Sequence, residues 1–326
     1  MTSMSTTAVE KRAGRVAVVG SLNMDLVIRA PRLPSAGETL AGRSFDTVPG
    51  GKGGNQAVAA ARLGADVTMI GCVGNDDNGR QLVAALRRDG IDCSGVAADP
   101  GLPTGVAMIV VDDRGQNAIV IVAGSNGALS PATITSHEAA IAQADILVCQ
   151  MEVPDETVLA AMQKARALGR TVVLNPAPVT GPLPRSWLEA ADFLIPNEIE
   201  ASVLSGIAVD SPESARRAAK TLQASGARNV IVTLGKRGVL VLAEGEGASE
   251  GQDDGSRGQH YLPAEVEAID TTAAGDTFVG GFCAALAAKR SLDEAVRFGQ
   301  AAAALSVTRA GAQTSIPYLH EIEEKE

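Results

Sequence analysis

Short apolar runs alternate with longer Ala-rich stretches through most of this chain, a pattern that predicts strands joined by helices. Val16-Ala-Val-Val-Gly20 is a continuous apolar run closed by glycine, as expected of a strand buried on both faces. A polar loop over 21–25 is predicted to follow it. Beyond Asp66 the apolar runs 67–70, 146–148, 171–174, 193–195 and 230–234 are interleaved with helical patterns over 77–88, 131–142, 155–168 and 212–224. That order predicts crossover units and an α/β fold with a mostly parallel sheet covered by helices. Ligands of such sheets sit beyond the carboxyl ends of the strands.

Two segments, 38–48 and 104–123, break the alternation. The second reads as a hairpin turning at Asp112-Asp-Arg-Gly115, in which Val106, Met108 and Val110 share one face and Ala107, Ile109 and Val111 the other. Both faces therefore call for burial. A central strand of the main sheet satisfies this, and so does a separate β lid with one face over a ligand and the other against a partner subunit. The polar stretch 1–14 reads as an N-terminal arm, 244–258 as a flexible acidic insertion, 15–319 as one large domain and 320–326 as a tail.

Composition narrows the classes. Hydrophobic residues make up 45% of the 326 positions but aromatics only 2%, so the core must be built from Ala, Val, Leu and Ile. A formal charge of −10 opposes general affinity for nucleic acid, and no basic run interleaved with aromatics offsets it. The four cysteines are scattered without a CxxC pair and the N-terminus lacks the apolar run of a secretory signal, so a reduced, cytoplasmic protein is expected. No apolar run is long enough for a bilayer span, and no membrane association is expected.

Three constellations carry chemistry. In Asp270-Thr-Thr-Ala-Ala-Gly275-Asp276-Thr-Phe, a turn of small residues runs into an apolar helix. Its amides can approach a ligand closely, and unpaired donors at a helix start attract an anion. Asp276 in the first turn is accounted for by the helix dipole alone. Beside an amide cradle it also suits a catalytic base, because a loose phosphoryl-transfer transition state asks little of proton abstraction. Neither GxxxxGK[ST] nor GxGxxG is present, which removes the main support for P-loop and dinucleotide readings.

Pro49-Gly-Gly51-Lys52-Gly53-Gly54-Asn55 leads into another helix and offers amides and side-chain donors suited to a hydroxyl-rich molecule. Asn23 and Asp25, and Glu152 after the run 146–148, add acceptors. In the second half, Asn197-Glu-Ile-Glu200 reads either as a capped helix start or as a strand-end carboxylate that could hold hydrated Mg²⁺. Thr233-Leu-Gly-Lys-Arg-Gly238 closes a strand with a glycine turn.

Gly50-Gly-Lys-Gly-Gly-Asn-Gln-Ala-Val-Ala-Ala and Asp270-Thr-Thr-Ala-Ala-Gly-Asp-Thr-Phe are supported by Gly20-Ser-Leu-Asn-Met-Asp25 and Val307-Thr-Arg-Ala-Gly-Ala-Gln-Thr-Ser315. Together they resemble the ribokinase-like (phosphofructokinase B type) carbohydrate kinases over about 15–317. The resemblance implies a three-layer α/β/α fold with a dimerising β-sheet lid, and transfer of the ATP γ-phosphate to O5 of D-ribose. A family kinase for 2-deoxyribose, fructose or a nucleoside, or a non-catalytic sugar or nucleotide sensor, is the alternative.

By the family pattern Asn23, Asp25, Gly51, Lys52, Gly53, Gly54, Asn55 and Glu152 would hold the sugar. Asp276 would take the proton, and the amides of Ala273, Ala274 and Gly275 would form the anion hole. Asn197, Thr233, Leu234, Gly235, Lys236, Arg237, Gly238, Gly275 and Gln300 would line the nucleotide site, with Glu200 positioning Mg²⁺ through water. Gln300 stands where the family often has His or Asn. A monovalent cation, usually K⁺, would be held by Asp270, Thr272, Ser306, Arg309, Gly311 and Ser315, several through backbone carbonyls.

Overall fold

Alternate residues of the first strand enter two different cores: Val16 and Val18 pack on one side, Ala17 and Val19 on the other. A strand with period two and no polar face must lie between two layers, and this one does. The computed structural model describes residues 13–244 and 258–324. In it β1 (Arg15–Val19) belongs to a nine-stranded sheet with β4 (Asp66–Gly74), β5 (Asp92–Asp99), β8 (Ile146–Cys149), β9 (Thr171–Leu174), β10 (Phe193–Leu194), β11 (Asn229–Thr233), β12 (Val239–Leu242) and β13 (Gln259–Tyr261). The order is β13-β12-β11-β10-β9-β8-β1-β4-β5, parallel from β11 to β5, with β12 and β13 antiparallel at one edge.

Helices α1 (Lys52–Arg62), α2 (Asp77–Arg88), α9 (Ala274–Ala287), α10 (Leu292–Ser306) and α11 (Leu319–Glu323) contribute to the Val16 core. The Ala17 core is completed by α3 (Pro131–Ser136), α4 (Glu138–Gln143), α5 (Asp155–Ala167), α6 (Arg185–Ala190), α7 (Glu198–Ser205) and α8 (Pro212–Ala224). The fold is the expected three-layer α/β/α arrangement. All four cysteines are buried and unpaired, and no described helix is long and apolar enough to cross a membrane.

A second sheet of four strands stands apart, in the order β3-β2-β6-β7, built from β2 (Asn23–Arg29), β3 (Ser44–Gly50), β6 (Gly105–Val111) and β7 (Asn117–Val122). This decides between the two readings of 104–123 in favour of a separate layer. Register places Asn23, Asp25, Ala107, Ile109, Ile119 and Ile121 on one face and Phe45, Met108 and Val120 on the other. Much of this apolar surface is open, Val120 at 64% and Phe45 at 62%.

Several expectations are corrected. The loop predicted at 21–25 is only Gly20–Leu22, after which β2 begins at Asn23; a strand that starts with Asn and Asp looks polar until its partners β3 and β6 are known. The helix predicted over 131–142 is broken at His137, whose backbone (φ −108°, ψ 20°) ends α3 and starts α4. The strand predicted at 67–70 continues to Gly74. Within the segment expected at 38–48, strand structure starts only at Ser44. Past residue 319, α11 packs on the body, with Ile322 buried and Glu321 paired to Arg309. The arm and the acidic insertion lie largely outside the described residues.

Candidate active site

Gly51 adopts φ 83°, a conformation that side-chain-bearing residues rarely tolerate, and so turns the chain sharply from β3 of the small sheet into α1 of the body. The first amides of α1 then point at the ends of β1 and β8. Lys52 N donates to Glu152 Oε2 at 3.0 Å and Gly53 N to Ser21 Oγ at 3.3 Å, while Ser21 Oγ donates to the same Glu152 oxygen at 2.6 Å. Glu152 is therefore a carboxylate set against a helix N-terminus, where its charge is favoured.

Helix α9 begins with another unusual residue. Ala273 is in the left-handed region (φ 58°), a strained conformation for a residue with a Cβ. Among the described residues the amides of Ala273, Gly275 and Asp276 meet no acceptor, whereas Ala274 N donates to Thr271 O at 3.2 Å. Three donors at this helix start are therefore left for an outside acceptor, while the Ala274 amide is engaged within the turn.

Asp276 is 7% exposed. Its Oδ2 accepts from Asn55 Nδ2 at 3.0 Å and its Oδ1 from Gln56 Nε2 at 2.9 Å. The Oδ1 of Asn55 is buried without a partner, a lone acceptor beside the carboxylate that a ligand hydroxyl would satisfy. Asn23 is oriented by Asn126, whose Nδ2 donates to Asn23 Oδ1 at 2.8 Å. Asp25 packs against Gly50, where a Cβ would stand 2.2 Å from its carboxylate.

Charge in this site is unbalanced: Glu152, Asp276 and Glu200 act on Lys52, and Asp25 feels Glu152 and Asp276 with no cation among the described residues to offset them. Burial alone would lower the Lys52 ammonium, but the Asp276, Glu152 and Glu200 carboxylates outweigh it and hold it above its ordinary value. Asp25 is pushed up to about 7, first by burial and then by the charges of Glu152 and Asp276. Folded protein thus keeps a proton that the unfolded chain releases above about pH 4, and stability drains away as pH rises to about 7, by about 4 kcal/mol once Asp25 is ionised. Asp25→Asn should therefore melt at a higher temperature than the parent at pH 8, with the advantage shrinking toward pH 5. An advantage that does not change between these pH values would contradict the assignment.

The second-half residues converge on the same edge. Asn197 caps α7 in a reciprocal box with Glu200: Glu200 N donates to Asn197 Oδ1 at 2.9 Å and Asn197 N to Glu200 Oε2 at 2.8 Å. Burial raises Glu200. Thr233 N donates to Pro196 O at 3.0 Å, which sets the Gly235–Gly238 turn beside Asn197. Leu234 and Gly238 are buried, Gly235 and Lys236 exposed, and Arg237 pairs with Glu198. Gln300 Nε2 donates to Tyr261 O at 3.1 Å, tying α10 to β13. Among the described residues no group of three His, Cys, Asp or Glu is assembled to hold a metal.

Asp270 joins the two loops expected to hold a monovalent cation. Its Oδ1 accepts from Thr272 N and Oγ1, and its Oδ2 from Gly311 N at 2.9 Å. Burial opposes ionisation, but these bonds prevail and hold Asp270 below its usual range. Ser306 and Ser315 are buried nearby, and the Arg309 guanidinium is turned away onto Glu321.

Three residues of the site were assigned no role from the sequence: Gln56, which stands inside the glycine-rich motif next to Asn55, and Gln150 and Asn175, each a single amide just after an apolar run.

Residues 13–319 match the family described as pfkB family carbohydrate kinase. The chain is 44% identical over 304 residues to a ribokinase of Haemophilus influenzae, covering 93% of this chain and 95% of that one. A deoxyribokinase of Salmonella typhi is 36% identical over 310 residues, 95% of this chain and 97% of its own. The structure of Arabidopsis thaliana ribokinase complexed with ribose and ATP superposes with a TM-score of 0.87 at 30% identity, covering 96% of this chain and 98% of that one.

Proposed function

We propose ATP-dependent phosphorylation of D-ribose at O5, giving D-ribose 5-phosphate and ADP, as the reaction of this chain, which belongs to the pfkB family of carbohydrate kinases. It is a sugar kinase, a phosphotransferase. The observation that carries the site assignment is the buried Asp276 carboxylate, bracketed by Asn55 and Gln56 and followed outward by three unpaired amides at the start of α9.

In this reading Asn23, Asp25, Lys52, Asn55 and Glu152 hold the sugar, with the amides of Gly51–Gly54 closing around it. Asp276 accepts the proton of the attacking hydroxyl. The free amides of Ala273, Gly275 and Asp276 meet the negative charge on the transferring phosphoryl group without reorganising. Asn197, Thr233, the Gly235–Gly238 turn and Gln300 border the nucleotide. Glu200 retains one carboxylate oxygen outside the capping box for water on Mg²⁺, which would neutralise phosphate charge in a pocket that is itself acidic. The linked loops around Asp270 suit a K⁺ ion held largely by carbonyls, which would stiffen the turn carrying the amides.

A second copy of the chain is the proposed partner of the open face of the small sheet, through Phe45, Met108 and Val120. Val120→Lys should move the protein from dimer to monomer in sedimentation velocity, and an unchanged sedimentation coefficient would remove that assignment.

A coupled ADP-release assay tests the reaction. Buried polar groups that pair with sugar hydroxyls discriminate against analogues lacking one by up to roughly 10⁴-fold, so kcat/KM should favour ribose over 2-deoxyribose, fructose and adenosine. The higher identity to the ribokinase than to the deoxyribokinase points the same way. Equal values for ribose and 2-deoxyribose would overturn the substrate assignment. Chelation of Mg²⁺ should abolish turnover, and equal rates in K⁺ and Na⁺ would rule out the cation site.

A further inference from the structure

Behind Asp276 lies a chain of buried amides whose polarity is determined at every link. Gln150 Nε2 donates to Gln56 Oε1 at 2.6 Å; Gln56 Nε2 donates to Asp276 Oδ1 and to Asn175 Oδ1, both at 2.9 Å; Asn175 Nδ2 donates to Ile195 O at 2.9 Å. Gln56 is 1% exposed and Gln150 0%. Rotating the Gln56 amide by half a turn would aim its oxygen at two oxygens and its nitrogen at a donor, so only one orientation pairs Gln56 with all three neighbours, even though Gln150 Oε1 itself is buried without a partner.

These groups come from four elements. Gln56 is on α1, while Gln150, Asn175 and Ile195 follow the carboxyl ends of β8, β9 and β10. The chain therefore ties the first turn of α9 to three adjacent strands of the sheet. Burying four polar side chains in a core costs free energy that apolar residues of similar size would not, and the buried residues of α1 that follow Gln56, Ala57 to Ala60, are Ala and Val.

We propose that Gln56 is a positioning residue for the reaction: oriented by Gln150 and Asn175, it holds Oδ1 of Asp276 and so aims the carboxylate's remaining lone pairs at the substrate hydroxyl. This rests on the reading of Asp276 as the base. A carboxylate on a single χ1–χ2 pair can swing by more than an ångström if one oxygen is released, and a misplacement of that size costs up to about 10²-fold in rate. Gln56 acts through Asp276 and touches no substrate in this reading.

The test compares steady-state kinetics of Gln56→Leu, Gln150→Leu and the double variant with those of Asp276→Asn. Gln56→Leu keeps the volume and removes the amide; kcat should fall about tenfold or more, while KM for ribose and for ATP stays within about threefold. Gln150→Leu, which leaves every Asp276 contact in place, should lower kcat in the same direction by a smaller factor. The double variant should be no worse than Gln56→Leu alone, because both act through one group.

A purely structural role predicts instead a lower melting temperature with kcat preserved below it, or losses that multiply; either result overturns the proposal. If Gln56→Leu does not fold, Gln150→Leu decides by the same kcat and KM criteria. Retained activity in Asp276→Asn would refute the base itself, whereas collapse of Asp276→Asn beside near-parental Gln56→Leu and Gln150→Leu would refute only the positioning.

Discussion

Asp276→Asn is expected to lower kcat by about 10³-fold with folding intact, within the range that a positioned general base contributes. The substitution keeps shape and burial but replaces an acceptor with an amide. Its NH₂ would face either Asn55 Nδ2 or Gln56 Nε2, both of which now donate to the carboxylate. One of those bonds must be lost, so some destabilisation accompanies the kinetic effect. ATP binding should survive, because the free amides at the start of α9 belong to the backbone. Single-turnover rates at saturating ribose and ATP separate chemistry from binding, and a variant within about tenfold of the parent would remove Asp276 from the role of base.

A second large effect is expected at a residue that touches no ligand. Gly280 sits one turn after Asp276 on the same side of α9, and a Cβ there would stand 2.4 Å from the Ala59 Cβ and 2.8 Å from the Gln56 carbonyl oxygen. Helices α1 and α9 can approach this closely only because that position is bare. Gly280→Val should therefore destabilise the fold by about 3 kcal/mol, at the upper end of overpacking costs. Prising α9 from α1 also separates Asp276 from Asn55 and Gln56, so kcat measured well below the melting temperature should fall too. Denaturant unfolding with a stability change under 1 kcal/mol, about the least that overpacking costs, would show that the helices accommodate the side chain and that the contact is looser than described.

The start of α9 and the glycine-rich start of α1 were readable because each is a contiguous local signal: small residues, a helix behind them, and a charged or amide side chain at a fixed offset. The parallel body was readable for a similar reason, since strands such as β8 and β9 are unbroken apolar runs. What could not be read depends on distant partners. Asn23 and Asp25 looked like loop residues because β2 acquires its identity from β6, some eighty residues on. The hairpin 104–123 left two placements open, since apolar residues on both faces suit a central strand and a double-sided lid equally. His137 breaks a helix that Ala-rich periodicity had joined. Gln150 and Asn175 escaped notice because a lone amide has no spacing, and Gln56 because it was read only as part of the glycine-rich motif; their meaning arises only when α1, β8 and β9 bring them to one point.

Only Gly20, Ser21 and Leu22 separate β1 of the body from β2 of the small sheet. Asn23 and Asp25 ride on the small sheet, while Lys52, Glu152 and Asp276 belong to the body, so a sugar held by both groups is a bolt driven across a joint. Its affinity and the angle between the two sheets are then one thermodynamic quantity viewed from two ends. A contact on the small sheet, such as a second copy on its outer face, that favours the orientation gripping the sugar would tighten that grip, and by reciprocity sugar would tighten the contact by the same factor.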